Sequence, residues 1–312
     1  FMAGNFFYSK VYKGGFDIKS LENARPRRYN SKIWWSIHKR RFNIVENKNR
    51  NTAAIGVFDS GVGGLTVTRE IMRQLPNENV VYFGDTARVP YGSKSKEVIV
   101  RYSKEIVKFL KTQDVKMIVI ACNTASAFAL EELKKELDIP VIGVIEAGAR
   151  MAVEVGENIG VIGTKGTVSS KAYYNAIKKI KLGANVYQKA CPLFVPLIEE
   201  GMVDDLITEE IVKKYLNEID VMIDSLVLGC THYPLLTKVI NKLTNGKIKL
   251  INPAEETAKE VKMILKESNM ENFKREKEDQ YFVSDEPENF KELGELFLGF
   301  ELEDLKEINL EK

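Results

Sequence analysis

Two cysteines stand in nearly duplicate settings, Cys122 in "MIVIACNTASAF" (117–128) and Cys230 in "SLVLGCTHYPLL" (225–236). Each ends a short apolar run and opens onto hydroxyl, amide or imidazole side chains: Asn123 and Thr124 after the first, Thr231 and His232 after the second. A thiol at such a junction sits near the first turn of a helix. Unpaired backbone N–H groups and the helix dipole there favour the thiolate and draw its pKa from about 8.5 toward neutrality. A small thiol also packs well at a strand end, and Cys191 in "KACPLF", with no polar cluster beside it, carries only that packing role. Two paired thiols could form a redox couple, but such couples usually come as C-x-x-C and these lie 108 residues apart. Zinc is poorly served by a single histidine in the body of the chain and no paired ligand spacing. What remains is acid–base work from two sides. One thiolate takes a proton from a carbon while the opposite thiol delivers one to the other face, which inverts a stereocentre.

A third cluster opens the body of the chain, "VFDSGVGGLTV" (57–67). Gly61, Gly63 and Gly64 break the G-x-G-x-x-G spacing of a dinucleotide site, with Thr66 where the third glycine belongs, and no P-loop lysine follows. Asp59 and Ser60 then stand at a strand's carboxyl end before a flexible turn, suited to an ammonium group, or Asp59 is an ordinary helix N-cap. The loop "DTARVPYGSKS" brings Tyr91 and Gly92 to the same edge, or is a plain turn rich in proline and glycine.

These residues need strands that end together. From Ala53 onward, apolar β-branched runs alternate with amphipathic segments, the pattern of βαβ units around a parallel sheet. Strands are predicted at 53–59, 79–85, 115–121, 140–145, 158–163, 184–190, 225–229 and 247–252. Between the second and third, Val98, Tyr102, Ile106, Phe109 and Leu110 form a core-facing helical stripe, and "EETAKEVKMILKE" repeats the habit. "IGVFDSG" at 55 recurs as "IGVIGTKG" at 159, and "ACNTAS" at 121 as "GCTHYP" at 229. Two landmarks at similar offsets imply two pseudo-symmetric, doubly wound α/β domains with a cleft between them, each placing its thiol where a strand gives way to a helix. Ligands bind beyond the carboxyl ends of such strands, so the cleft would hold a cysteine on each wall. The expected division is 54–146 for the first domain, completed by 255–312, and 147–254 for the second.

Taken together, "IGVFDSGVGGLTV", "DTARVPYG", "ACNTASA", "CPLFVPLIEEG" and "LVLGCTHYPLL" resemble, in order and over roughly residues 53 to 270, the glutamate racemase family. The resemblance implies cofactor-independent inversion of glutamate, supplying D-glutamate for peptidoglycan. It gives Cys122 the part of base for D-glutamate and Cys230 that of base for L-glutamate. By the same resemblance Asp59, Glu199 and His232 assist the thiols, while Ser60, Tyr91, Gly92, Asn123, Thr124 and Thr231 hold the substrate's carboxylates and amine together with Asp59 and His232. It implies no cofactor and no metal, and a homodimer, the family also including monomers. One departure is "INPAEETA", with Asn252 and Pro253 where many members read aspartate and serine. A two-domain clamp that senses an acidic metabolite without turning it over would lack one thiol, and both are present.

Composition bounds the rest. With 312 residues, 44% of them hydrophobic and three cysteines, the chain has core enough to need no disulfide framework, and free thiols point to the cytoplasm. No apolar run reaches the ~18 residues of a membrane span, so no membrane partner is expected. The net charge of +2 conceals an asymmetry: residues 1–53 hold 12 of the 46 Lys and Arg but 3 of the 44 Asp and Glu, leaving 34 against 41 in the body. This basic leader, with Trp34 and Trp35 beside "HKRRF", shows no sustained period and reads as a non-core appendage. Its start at Phe1 before Met2 suggests a cloning remnant or translated upstream sequence. Some family members carry N-terminal extensions tied to regulation or to DNA gyrase, but charge runs are usually solvated tails and nucleic acid is not the expected partner.

Overall fold

The computed structural model describes residues 51–310 apart from 220 and 303, so the basic leader lies outside the described residues. Every strand pairs in parallel. The first sheet contains β1 (Ala54–Asp59), β2 (Val80–Gly84), β3 (Val115–Ile120), β4 (Val141–Gly143), β9 (Gln280–Val283) and β10 (Leu305–Glu307), ordered β10-β9-β2-β1-β3-β4. The second contains β5 (Asn158–Gly163), β6 (Asn185–Ala190), β7 (Ser225–Gly229) and β8 (Lys249–Ile251), ordered β6-β5-β7-β8. The sequence β2-β1-β3-β4 and the sequence β6-β5-β7-β8 are one winding used twice. In each, the chain leaves its first strand to one side and returns on the other, which makes a switch point between β1 and β3 and another between β5 and β7.

Residue alternation shows why the strands read as continuous apolar runs. Ile55 and Val57 of β1 face one core and Ala54 and Phe58 the other; Leu226 and Leu228 of β7 part from Val227 in the same way. The first of these cores runs unbroken from the inner face of the first sheet, through Val57 and Tyr82, to Ile162, Leu228 and Tyr233 of the second. Helices complete it: α1 (Leu65–Gln74) from the first repeat, the start of α4 (Val144–Val155), which links the two sheets, and α10 (Pro253–Glu267), which packs on both α1 and α4. α10 starts at the Asn252–Pro253 departure. Asn252 caps the helix, its Oδ1 accepting from the Ala254 N–H at 3.1 Å, and Pro253 occupies the first turn, where no N–H is needed.

Two expectations shift. The run "PVIGVI" is strand only to Gly143, because α4 begins at Val144; a short buried apolar run does not by itself separate strand from helix. On α2 (Lys96–Thr112) the fully buried residues are Ile99, Ser103, Ile106, Val107 and Leu110; of the expected stripe, Tyr102 and Phe109 pack partly buried against the same core, and Ile99 takes the place expected for Val98. Tyr102 packs against that core beside the buried Tyr91, ring centroids 5.9 Å apart, and also meets the guanidinium of Arg88 at 4.1 Å and that of Arg101 at 5.2 Å. Among the described residues no helix is long and apolar enough to cross a membrane.

Candidate active site

The carboxyl ends of β1, β3, β5 and β7 converge. Asp59 ends β1 and is wholly buried; its Oδ2 accepts from the Gly61 N–H at 3.0 Å, which ties the carboxylate into the turn that follows. Tyr82, from the middle of β2, donates to the Gly61 carbonyl at 2.7 Å and holds the same turn from beneath. Two glycines of "SGVGG" are explained by crowding, Gly63 from the opposite half and Gly64 from its own sheet. A Cβ on Gly63 would lie 2.5 Å from His232 Nδ1 and closer still to Thr231 Oγ1, and one on Gly64 would lie 2.8 Å from the Tyr82 hydroxyl. They are contact glycines, not phosphate-binding ones.

Cys122 follows β3 as the N-cap of α3 (Asn123–Glu136), its sulfur accepting from the Ala125 N–H at 3.5 Å and lying 3.7 Å from the Ser60 hydroxyl. Cys230 follows β7, and its sulfur lies 3.9 Å from His232 Nδ1. The helical turn expected after Cys230 is a four-residue 3-10 helix, Tyr233–Leu236, with Pro234 in its first turn. Both thiols are nearly closed off, Cys122 at 5% exposure and Cys230 at 7%.

Polar contacts stitch the halves together at this level. Thr231 Oγ1 donates to Asp59 Oδ1 at 3.4 Å, and Thr66 Oγ1 donates to the Thr231 carbonyl at 3.3 Å. The Thr124 hydroxyl lies 2.9 Å from that of Thr164, at the end of β5, and 3.3 Å from that of Thr167. Thr164 caps α5 (Lys165–Ser169), and its Cβ comes so near Gly92 that a Cβ there would sit 2.7 Å away. Glu199 closes α7 (Phe194–Glu199), and its Oε1 meets His232 Nε2 at 2.9 Å. The other side of the imidazole meets the edge of Phe297, ring centroids 5.4 Å apart. Tyr91 is buried, and its hydroxyl donates to Asp85, which also accepts from Arg88 and Ser284. That phenol is committed, so Tyr91 can offer a ligand only its backbone and ring edge.

The structure thus brings Asp59, Ser60, Gly92, Asn123, Thr124, Thr231, His232, Glu199 and both cysteines to one junction. Thr164, Thr167, Tyr173 and Phe297 join them unforeseen. The recurrence of "IGVIGTKGTV" against "IGVFDSGVGG" could have flagged the two threonines, since both segments leave the first strand of a repeat. Cys191 follows β6, an edge strand, and not a strand beside a switch point; its N–H donates to the Gly163 carbonyl at 2.9 Å and its side chain sits in the core. Among the described residues no group of three or more His, Cys, Asp and Glu is arranged to hold a metal ion.

Charge distribution separates the two sulfurs. Burial, helped by the nearby Asp59 carboxylate and by the Cys230 charge, pushes the Cys122 thiol up to about 12, against the opposing hydrogen bonds from Ala125 and Ser60. This reverses the expectation of a pKa drawn toward neutrality: desolvation outweighs a single helix terminus. Burial alone would depress His232, but its bonds to Cys230 and Glu199 and their charges win and raise it to about 10, so an imidazolium stands beside Cys230. Burial likewise raises Asp59, opposed by the His232 charge and by the N–H groups of Gly61 and Gly64.

The family model for Asp/Glu/Hydantoin racemase matches residues 55–261. A glutamate racemase of Geobacter metallireducens is 52% identical over 262 residues, 83% of this chain and 97% of that protein. One from Aquifex aeolicus is 49% identical over 251 residues, 80% and 95%. Among solved structures, glutamate racemase from Francisella tularensis in complex with D-glutamate aligns with a TM-score of 0.79 at 42% identity, covering 83% of this chain and 98% of that one. An isoform from Bacillus anthracis aligns at 0.81 and 40%, with the same coverage. An aspartate racemase of Picrophilus torridus, 19% identical with a TM-score of 0.50, shares the fold alone. With the matched region spanning the whole junction from Asp59 to His232, the chain belongs to the Asp/Glu/Hydantoin racemase family, among its glutamate racemases.

Proposed function

We propose that the chain interconverts L- and D-glutamate by proton transfer between two thiols, Cys230 acting as base on the L enantiomer and Cys122 on the D enantiomer. The observation that carries this reading is the placement of the sulfurs: each follows an inner strand of the same winding, β3 or β7, and both lie by the turn after β1, Cys122 beside Ser60 and Cys230 beside the His232 that crowds Gly63. Starting from L-glutamate, the Cys230 thiolate takes the α-proton while the Cys122 thiol gives its proton to the opposite face. The turnover ends with Cys230 as thiol and Cys122 as thiolate, and the D-to-L direction runs the same steps backward. The charges found here suit the first half of that cycle, with Cys122 held as the acid and an imidazolium beside Cys230.

The remaining groups then have parts to play. Asp59 offers a carboxylate to the substrate ammonium, and Ser60, Asn123, Thr124 and Thr231 supply short hydroxyl and amide donors, with the Tyr91–Gly92 backbone beside them. Glu199 holds the His232 ring by Nε2, which leaves Nδ1 toward Cys230. No cofactor is required, since acid and base both come from the chain. The glutamate carried by the Francisella tularensis complex supports the substrate, and D-glutamate made here would feed peptidoglycan synthesis in the cytoplasm. The chain is proposed to act as a homodimer, which sedimentation of the purified protein checks.

Chiral separation after incubation with L-glutamate in deuterated buffer tests the chemistry. Both enantiomers should appear, with solvent deuterium at the α-carbon of the newly formed one, and Cys122→Ala or Cys230→Ala should each abolish the interconversion. Full activity in either variant ends the two-thiol reading. Aspartate assayed side by side separates glutamate from the nearest alternative substrate.

A further inference from the structure

The sequence "SKAYYNAI" places two tyrosines on α6 (Ala172–Ile180). Tyr174 is exposed, but Tyr173 is entirely buried. Room for its ring is made by two glycines. A Cβ on Gly148 would come within 3.2 Å of one ring edge, and one on Gly229, the residue before Cys230, within 3.1 Å of the other. A buried phenol needs a partner, and this one reaches across to the first half: the Tyr173 hydroxyl donates to Asn123 Oδ1 at 2.7 Å. Burial, with the Cys230 charge adding to it, holds the phenol above its ordinary pKa, so it stays a donor throughout the working range.

We propose that Tyr173 is a positioning residue whose hydroxyl locks the Asn123 side-chain amide with its oxygen turned away from the substrate and its N–H groups turned toward it. The proposal rests on the reading of Asn123 as a substrate-holding residue. An asparagine amide presents two donors on one side and an acceptor on the other, and rotation by about 180° exchanges them. Tyr173 can only stabilise one of the two orientations by donating, because the phenol proton must meet the amide oxygen. Nδ2 makes no hydrogen bond to another described residue, so it is free for a ligand. A dicarboxylate substrate needs donors at that point; the flipped amide would set oxygen against oxygen. The residue after one thiol is thus oriented by a side chain that packs against the residue before the other thiol, which ties substrate binding to the fit between the halves.

The test compares Tyr173→Phe, Asn123→Ala and the double variant in steady-state racemisation, with calorimetric titration of D-glutamate alongside. Tyr173→Phe should raise KM about tenfold, ~1.4 kcal/mol, with kcat within about threefold of the parent. The double variant should be no worse than Asn123→Ala alone, because the tyrosine acts through the amide. Asn123→Asp, which leaves Tyr173 in place and shows the substrate an oxygen, should weaken D-glutamate binding at least as much as Asn123→Ala. An unchanged KM in Tyr173→Phe, full additivity in the double variant, or parental binding in Asn123→Asp would each overturn the proposal. If Asn123→Ala also binds glutamate normally, its place in the substrate site falls with it, whereas the two-thiol chemistry stands or falls on deuterium exchange.

Discussion

Gly63→Ala is the sharpest probe of how the two sheets meet. Its backbone is not in the left-handed region, so alanine brings no conformational penalty of its own, and a Gly-to-Ala change at an unstrained site ordinarily stabilises by about 0.4–1 kcal/mol. Here the new methyl would lie 2.5 Å from His232 Nδ1. Ordinary contact begins near 3.4 Å, so the imidazole and the adjacent Thr231 must retreat by roughly 1 Å. Both are buried and bonded, His232 to Glu199 and Thr231 to Asp59, so the retreat opens polar contacts and overpacks the junction, at about 1–3 kcal/mol. A misplacement of that size beside a reacting group costs on the order of 100-fold in rate. Racemisation followed by circular dichroism should therefore show kcat/KM falling about 100-fold, with a stability loss of no more than about 3 kcal/mol in urea. Gly183→Ala, at a position with nothing within 4 Å, should leave kcat/KM unchanged and stabilise by about 0.4–1 kcal/mol. If Gly63→Ala turns over glutamate within threefold of the parent, His232 and Thr231 do not sit over this turn and the junction described above is wrong.

The pH–rate profile should be bell-shaped. Its alkaline limb should fall near pH 10, where His232 loses its proton while Cys122 remains a thiol, and a rate still flat at pH 11 would contradict that order. His232 also links pH to stability: its folded pKa lies above the unfolded value of 6.5, so its contribution is complete below pH 6.5 and lost as pH rises through about 10. Denaturant melts at pH 7 and 10.5 should show that loss in the parent and not in His232→Gln. Cys191→Ala should keep parental kcat and KM and lose about 1 kcal/mol, as a core thiol does. Lys116→Met should cost about 3–5 kcal/mol in urea melts without changing KM. It strands the Glu78 carboxylate, which is paired with Lys116 at the far end of the strands where both side chains are buried.

Much of this molecule could be read from single residues because the signals were local. β1, β5 and β7 are apolar on both faces and bounded by polar or glycine residues, and their edges fell within one position. β9 and β10 were missed. They are four and three residues long, and the flanking "ENFKREKEDQ" and "SDEPENF" are charged, so neither shows a period of its own. Their place is fixed by tertiary pairing, as where Asp279 accepts from the Val80 N–H at 2.8 Å. The same distinction holds in the site. Cys122 and Cys230 announce themselves by repeated context, whereas Tyr173 and Phe297 act across more than 45 residues of chain, through contacts that only the folded junction creates. Burial is the other quantity a linear pattern does not carry. A helix terminus beside Cys122 can be foreseen, but the nearly complete exclusion of water that reverses its effect on the thiol cannot.

Repetition of the backbone and divergence of the side chains divide the labour. One winding used twice puts two sulfurs at equivalent points, which supplies the two opposed groups that inversion at a carbon needs. Strict symmetry would then give both sulfurs the same proton affinity, and a pair matched in that way has no preferred acid. The surroundings differ: burial first, and then the Asp59 carboxylate, raises the Cys122 thiol, while an imidazolium, His232 backed by Glu199, stands by Cys230. In the proposed reaction each turnover exchanges the protonation states of the thiols, so a tie broken too firmly would trap the enzyme after one direction. The two perturbing groups are themselves coupled, since the His232 charge lowers the Asp59 pKa and Thr231 bonds Asp59 from the same loop. A proton gained or lost on His232 therefore changes the field at Asp59, the neighbour of Cys122, as well as beside Cys230, so the junction between the halves sets the bias that both directions must share.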